Sequence, residues 1–285
     1  VSLKAALVRA LNRHVLPRWQ LVLRKSGHDD EDHILTPKYR DMMIADVCAV
    51  LAPYLMRAGL LPTTNTAPFE LLVREFLALH RNRPVRDNTG GSGFNGSLSL
   101  FAIARLIDPT LIVESGTWQG HSAWLLAKAC PRAAIHSFDI EHDNLLHREP
   151  GVTYHLGDWM TSGVTADDSI SSLCFFDDHV SHARRIREAH ARGFRRLLLD
   201  DDLPAPALFA TGVPPAPTAA MLMDERVRPD ESIEWMYRGR LRRFHPQPDD
   251  WRARDLIAAY HPAPDLAPAT HYRRHNGISL LRLKD

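Results

Sequence analysis

A chain of 285 residues with 45% apolar content is long enough to bury a sizeable core, as one elaborated domain or two small ones. Its formal charge of +1 comes from nearly balanced acids and bases, which excludes the strong global field that draws in nucleic acid. The three cysteines, Cys48, Cys130 and Cys174, lack the spacing of a zinc site or of a secreted disulfide framework, so a reducing cytoplasm is expected.

Nothing in the chain approaches the roughly 18 consecutive apolar residues of a membrane-spanning helix, and no apolar segment with a small-residue cleavage site opens it. Residues 1–27 carry Lys4, Arg9, Arg13, Arg18, Arg24 and Lys25 with no acid, while Leu3, Leu7, Leu11 and Val15 recur every fourth position. That pattern predicts a basic amphipathic helix, and two uses of it stay open. It attaches peripherally to an anionic membrane surface or lipid-linked substrate, or it packs on the domain or on a neighbouring subunit of a homo-oligomer.

The polar stretch 28–33 reads as a linker, followed by helical patterning over 39–58 and 68–80, so 1–87 is expected to be a helical extension. Residues 88–96, Asn-Thr-Gly-Gly-Ser-Gly-Phe-Asn-Gly, read as a flexible loop before an apolar helix at 98–107. The loop is a candidate lid with Phe94 as its latch, or else a solvated connector.

From Leu111 the pattern becomes short apolar strands alternating with helices, the mark of a mostly parallel sheet covered on both faces. Strands are predicted at 111–114, 134–139, 152–156, 173–177 and 196–200, with helices most clearly at 121–129 and 181–192. The proline- and alanine-rich stretch 204–217 reads as the start of an insertion or lid reaching to about 276. A helix at 251–260 and a last strand at 278–283 complete an α/β domain over 88–285.

The first strand runs into Glu114-Ser-Gly116-Thr117-Trp-Gln-Gly120-His-Ser122, placing two glycines in the turn before a helix, where backbone approaches a ligand closely. This is not the Gly-x-Gly-x-x-Gly spacing that seats a pyrophosphate. An acid at the strand end would repel such a group, and would attract a ligand bearing an amino group and a sulfonium. Asp139 ends the next strand about 20 residues on, where a carboxylate suits two ribose hydroxyls. Asp158 and Trp159, after the third strand, are placed to read an adenine edge and cover its face.

Two acidic clusters follow. Phe-Phe-Asp177-Asp178-His179 closes the fourth strand and Leu-Leu-Leu-Asp200-Asp201-Asp202 the fifth, so both emerge on the ligand edge of an open parallel sheet. Carboxylates crowded there repel one another unless protonated or neutralised, and a hard divalent ion such as Mg²⁺ or Mn²⁺ is a natural partner. Asp178 and Asp202 are equally suited to capping a turn, and His179 to satisfying backbone groups. Arg238, Arg240, Arg242 and Arg243 alternate with apolar residues, either to bind an anionic acceptor or as a solvated face.

Over roughly residues 88–204 and the last strand, these motifs resemble class I S-adenosylmethionine-dependent methyltransferases with a Rossmann-like fold. They are most like the metal-dependent O-methyltransferases acting on sugars of macrolides and aminocoumarins. The resemblance implies S-adenosylmethionine held by Glu114, Gly116, Thr117, Gly120, Ser122, Asp139, Asp158 and Trp159, and Mg²⁺ or Mn²⁺ held by Asp177, Asp200 and Asp201. His179 stands where that family usually places an aspartate base, Asp-Asp-His replaces its Asp-Gly-Asp, and Asp202 replaces an aromatic residue. The expected acceptor is a hydroxyl of a sugar, glycan or small secondary metabolite. Two rivals stay open: a non-catalytic nucleotide- or glycan-binding subunit of a membrane-associated assembly, and a metal-dependent hydroxylase or hydrolase.

Overall fold

The computed structural model describes residues 36–62, 67–167, 171–211, 213–272 and 277–285. The basic segment 1–27, with its expected membrane or subunit contact, lies outside them. Among the described residues no helix is long and apolar enough to cross a membrane.

Among the described residues, three helices precede the sheet. Helix α1 (Pro37–Arg57) opens with a proline, which costs nothing in a first turn whose N–H groups lack helical partners anyway. Helix α2 (Ala67–Arg81) buries Phe69, Leu72, Val73, Phe76 and His80, a stripe at the helical period. Helix α3 (Phe94–Ile107) is buried along its whole first eleven residues. It therefore starts earlier than the glycine content predicts. Phe94 is 2% exposed, stacks on Tyr272 at 3.9 Å and meets Phe76 edge-on, and this burial outweighs the poor helix propensity of Gly96. Phe94 is thus a core residue and no latch.

The sheet elements are β1 (Leu111–Ser115), α4 (His121–Ala129), β2 (Ala134–Asp139), β3 (Val152–Leu156), β4 (Ser172–Phe176), α5 (His182–Ala191) and β5 (Arg196–Asp200). After β5 come a 3-10 segment (Ala205–Ala210), α6 (Ala219–Met223) and the hairpin β6 (Ile233–Tyr237) and β7 (Arg240–Phe244). A further 3-10 stretch (Pro248–Leu256), β8 (Ile257–Pro262), α7 (Ala267–Thr270) and β9 (Ile278–Leu283) close the chain. The sequence predicts helix over 251–260; instead the helical turns stop at Leu256 and the chain enters the sheet, carrying Tyr260 toward Asp202. The hairpin turns on Arg238 and Gly239, both with positive φ, the backbone of a tight two-residue turn. Arg240, Arg242 and Arg243 are exposed along it, and Arg243 pairs with Glu234 across the strands.

Seven strands pair in the order β3-β2-β1-β4-β5-β9-β8, with β9 antiparallel to both of its neighbours and the rest parallel. This is a Rossmann-like methyltransferase fold: a doubly wound sheet with a reversed strand set beside β5. Alternate residues feed opposite layers, as the pleat requires. Ile112, Leu173, Phe175 and Leu198 join a core shared with α1, α2 and α3, while Val113, Cys174, Phe176, Leu197 and Leu199 face α5 and α6. Tyr54 of α1 also donates to the His261 carbonyl of β8 at 3.1 Å, tying the first helix to the sheet edge.

Because α2 shares its core with the sheet, Phe76→Ala is expected to cost about 3–5 kcal/mol. Denaturant unfolding followed by both fluorescence and far-ultraviolet dichroism should show one shifted transition, and an early separate loss of helix would contradict the shared core.

Candidate functional site

Chain winding reverses between β1 and β4, and in a doubly wound sheet the crevice at the carboxyl ends of those strands is where ligands sit. Here the two strand ends touch. The Asp177 amide donates to the Ser115 carbonyl at 2.9 Å, and Gly116, at φ +105°, lies so close that a Cβ on it would come within 2.3 Å of the Asp177 carbonyl oxygen. Gly120, at φ +86°, is packed in the same way against the His147 carbonyl, 2.1 Å from where its Cβ would be. Both glycines are therefore demanded by the chain's own backbone, whereas the sequence suggests clearance for a ligand. In this turn Trp118 also has positive φ, and its amide donates to Asp139 Oδ2 at 2.9 Å.

Glu114 is fully buried at the end of β1. Its Oε2 accepts from Ser137 Oγ at 2.5 Å, and Ser137 shares a 2.6 Å hydrogen bond with Thr117 Oγ1. Its Oε1 is buried with no hydrogen-bond partner. Burial lifts the Glu114 carboxyl to about 7, against the opposing pull of the Ser122 and Ser137 hydroxyls, and Asp139 pushes it further up. A buried carboxyl oxygen without a donor is costly unless a ligand supplies one, so Glu114 is a residue that could hold a cationic or hydrogen-bond-donating group. Asp139, half-buried, accepts amides from Trp118 and Glu141, and a carboxylate keeps lone pairs for further donors.

Asp158 and Trp159 are placed differently from expectation. Trp159 is completely buried, with Phe176 and Phe194 against its ring and the Arg192 guanidinium over it, so no face is left to cover an adenine. Asp158 starts a 3-10 turn, accepting from the Met160 amide, and pairs with Arg185 at 3.0 Å. Arg185 is buried and also pairs with Asp178 and Glu188, each at 2.6 Å. Burial opposes its charge, yet these acids hold its pKa above the usual arginine range.

The two acidic clusters divide in the same way. Asp178 is neutralised by Arg185 and caps the turn at Val180. Asp202 is a structural anchor: Oδ1 accepts from the Ala220 amide at 2.7 Å, and Oδ2 from Tyr260 Oη at 2.8 Å and Ser279 Oγ at 2.5 Å. His182 bridges the Asp200 carbonyl and the Ala219 amide. Asp177, Asp200, Asp201 and His179 meet in one small cavity. The Asp177 carboxyl is driven well above its usual range by burial and then by Asp200, Asp201, Glu114 and Asp178. His179, half-exposed and at φ +56°, places Nδ1 3.4 Å from Asp201 Oδ2, and that contact raises its pKa. Among the described residues no three acidic, histidine or cysteine side chains are grouped to hold a metal ion as they stand.

The glycine-rich loop does lie over this edge. Trp118 Nε1 donates to the Thr89 carbonyl at 3.2 Å, Gly90 packs on the Trp118 ring, and Ser92 Oγ reaches Asp200 Oδ2 at 3.3 Å. Sequence reasoning missed Ser137 and Arg185. Pairing Glu114 with Ser137 across β1 and β2 needs the strand register, while Arg185 sits among His182, Ala183, Ile186 and Ala189 on the helix's buried stripe, a phase visible in the sequence.

No protein-family model and no curated protein matches this sequence. Solved structures with a similar chain path include the O-methyltransferase TomG from Streptomyces achromogenes, involved in tomaymycin synthesis and in complex with SAM. It is 16% identical, with 83% of this chain and 98% of that one covered and a TM-score of 0.38. The O-methyltransferase from Bacillus cereus in complex with SAH is 13% identical, with 83% and 99% covered and a TM-score of 0.40. A cmcI structure with SAH is 13% identical at a TM-score of 0.34; 40% of this chain is covered, and it spans 63% of that protein. The fold assignment stands on strand order and direction alone.

Gly116→Ala should fail on both counts described above, at about 1–3 kcal/mol for overpacking and a similar amount for the strained backbone. Thermal unfolding measures this, and a variant as stable as the parent would mean that the β1 turn and Asp177 are not in contact.

Proposed function

We propose that the protein is an S-adenosylmethionine-dependent O-methyltransferase acting on a hydroxyl of a small molecule. The observation that carries this reading is the Oε1 of buried Glu114, which no protein group meets, beside an Asp177 carboxyl crowded by neighbouring acids at the winding reversal, a setting that favours a cationic ligand. When bound, the donor supplies an electrophilic methyl group on a sulfonium. Glu114 would hold its ammonium end and Asp139 its ribose. His179, oriented through Nδ1 by Asp201, would take the acceptor's hydroxyl proton on Nε2 as the new O–CH₃ bond forms and the S–CH₃ bond breaks, its electron pair staying on sulfur. The loop from Thr89 to Ser92 would limit water at the reacting oxygen.

A divalent ion, Mg²⁺ or Mn²⁺, is the finer part of this reading. Asp177, Asp200 and Asp201 would hold it, supplying a Lewis acid that lowers the hydroxyl pKa. The support is chemical, from hard oxygen donors in excess of positive charge; they are not a ready-made ligand set.

Donor binding should follow the Glu114 titration. The carboxylate forms as pH rises through about 7, so affinity for S-adenosylhomocysteine should increase from about pH 6 to pH 8. Glu114→Gln should weaken binding by about 1.5–3 kcal/mol and flatten the profile. Without a ligand the sign reverses for stability: the folded state keeps a proton that the unfolded chain releases above the ordinary value of 4.5, so Glu114 makes the protein less stable as pH climbs to about 7. Calorimetric titration checks the first point: no binding at any pH would point to a hydroxylase or hydrolase, and saturable binding without turnover to a binding subunit.

His179→Ala should lower kcat by about a hundredfold or more with donor affinity unchanged. Exhaustive chelation should stop turnover and leave donor binding intact. Full activity after chelation would remove the ion from the scheme and leave the roles of Glu114 and His179 standing.

A further inference from the structure

A second cavity, of about 460 Å³, opens on the same edge of the sheet, at the end of β5, the start of β9 and the end of β8. That volume is in the range of small-molecule pockets. Asp202 lies in its wall, the next residue along the chain from Asp200 and Asp201, which line the acidic cleft. Its apolar lining comes from Leu203, Pro204, Ala207, Pro262, Pro264 and Ile278, with Phe209, 64% exposed, alongside. Three of those six are prolines, which carry no amide donor and hold a rigid backbone.

The buried polar side chains of the lining are already occupied. Both Asp202 oxygens accept protein hydrogen bonds, and Ser279 Oγ gives its proton to one of them. Asp265 is exposed and takes the Ala267 amide on one oxygen. The backbone is similarly engaged, Ala207 donating to Pro204, Ala263 to Ile278 and Asp202 to Gly277. A sugar brings a hydroxyl on most ring carbons, and each one buried without a partner costs about 1–3 kcal/mol. An apolar ring loses nothing on entry and removes its own surface from water.

We infer that this cavity is the acceptor site and that it takes a hydroxyl-bearing molecule with an apolar aromatic or alicyclic body, not a free sugar. The inference rests on the proposed methyl transfer for the word acceptor and on the cavity alone for the ligand class. The apolar body occupies the cavity, and the single hydroxyl is left toward the cleft of Asp200, Asp201 and His179.

The test uses the full chain saturated with S-adenosylhomocysteine, titrated in a calorimeter with 2-naphthol and, separately, with methyl β-glucopyranoside. Naphthol should bind and the glucoside should give no saturable heat. Ala207→Phe, which fills the cavity, should weaken naphthol binding by about tenfold or more, and Phe209→Ala should weaken it severalfold; neither should change affinity for S-adenosylhomocysteine. Phe209 is exposed, so its variant keeps the test valid if Ala207→Phe does not fold. Naphthol affinity unmoved by the folded variants, or glucoside binding that those variants abolish, overturns the inference. The methyltransferase reading fails separately, as absent S-adenosylhomocysteine binding with naphthol still held and still sensitive to Phe209→Ala.

Discussion

The backbone contact between the turn after β1 and the end of β4 governs the rest of the site. With Gly116 seated on the Asp177 carbonyl, the ends of three parallel strands deliver Glu114, Asp177 and Asp200 to one narrow region. Like charges brought that close in a low-dielectric setting must be protonated, paired or neutralised by a ligand. The protein pairs some of them itself. Arg185 absorbs Asp158, Asp178 and Glu188, and hydroxyls and an amide absorb Asp202. Glu114, Asp177, Asp200 and Asp201, with His179 beside Asp201, are the groups crowded together at this edge.

This division explains how far the sequence could be read. Strand positions were legible because buried parallel strands are continuous apolar runs, as in Leu-Cys-Phe-Phe and Leu-Leu-Leu, and because each ends on an acid or a glycine turn. The positions of the two acidic clusters at one sheet edge followed from that. Which acid does what was not legible. Asp177 and Asp178 are adjacent in sequence yet differ in role because a buried arginine from α5 reaches only the second of them. Trp159 looked like a ligand-facing aromatic, but the strands it follows place it between two phenylalanines, a fact of tertiary packing alone.

The misread elements share one cause. The 88–96 segment has loop composition, yet its last three residues are helical because Phe94 finds Phe76 and Tyr272, residues from remote parts of the chain. The 251–260 segment has helical patterning, but its second half is drawn into the sheet, where Tyr260 reaches Asp202. In both, long-range burial overrides local preference, as it does for helix and strand propensities generally. Gly116 and Gly120 do mark close approaches, but the approaching group at each is the chain's own backbone.

The order of strands carries a consequence for how the molecule is made. β9 lies between β5 and β8, although it follows both in the chain, and it supplies Ser279 and Ile278 to the region around Asp202. Until it inserts, one side of β5 is an open edge of unpaired amides and carbonyls, the kind that invites association with other chains. During synthesis this half of the sheet therefore stays unfinished until residues 278–283 have left the ribosome, and its vulnerability to aggregation is concentrated in that interval.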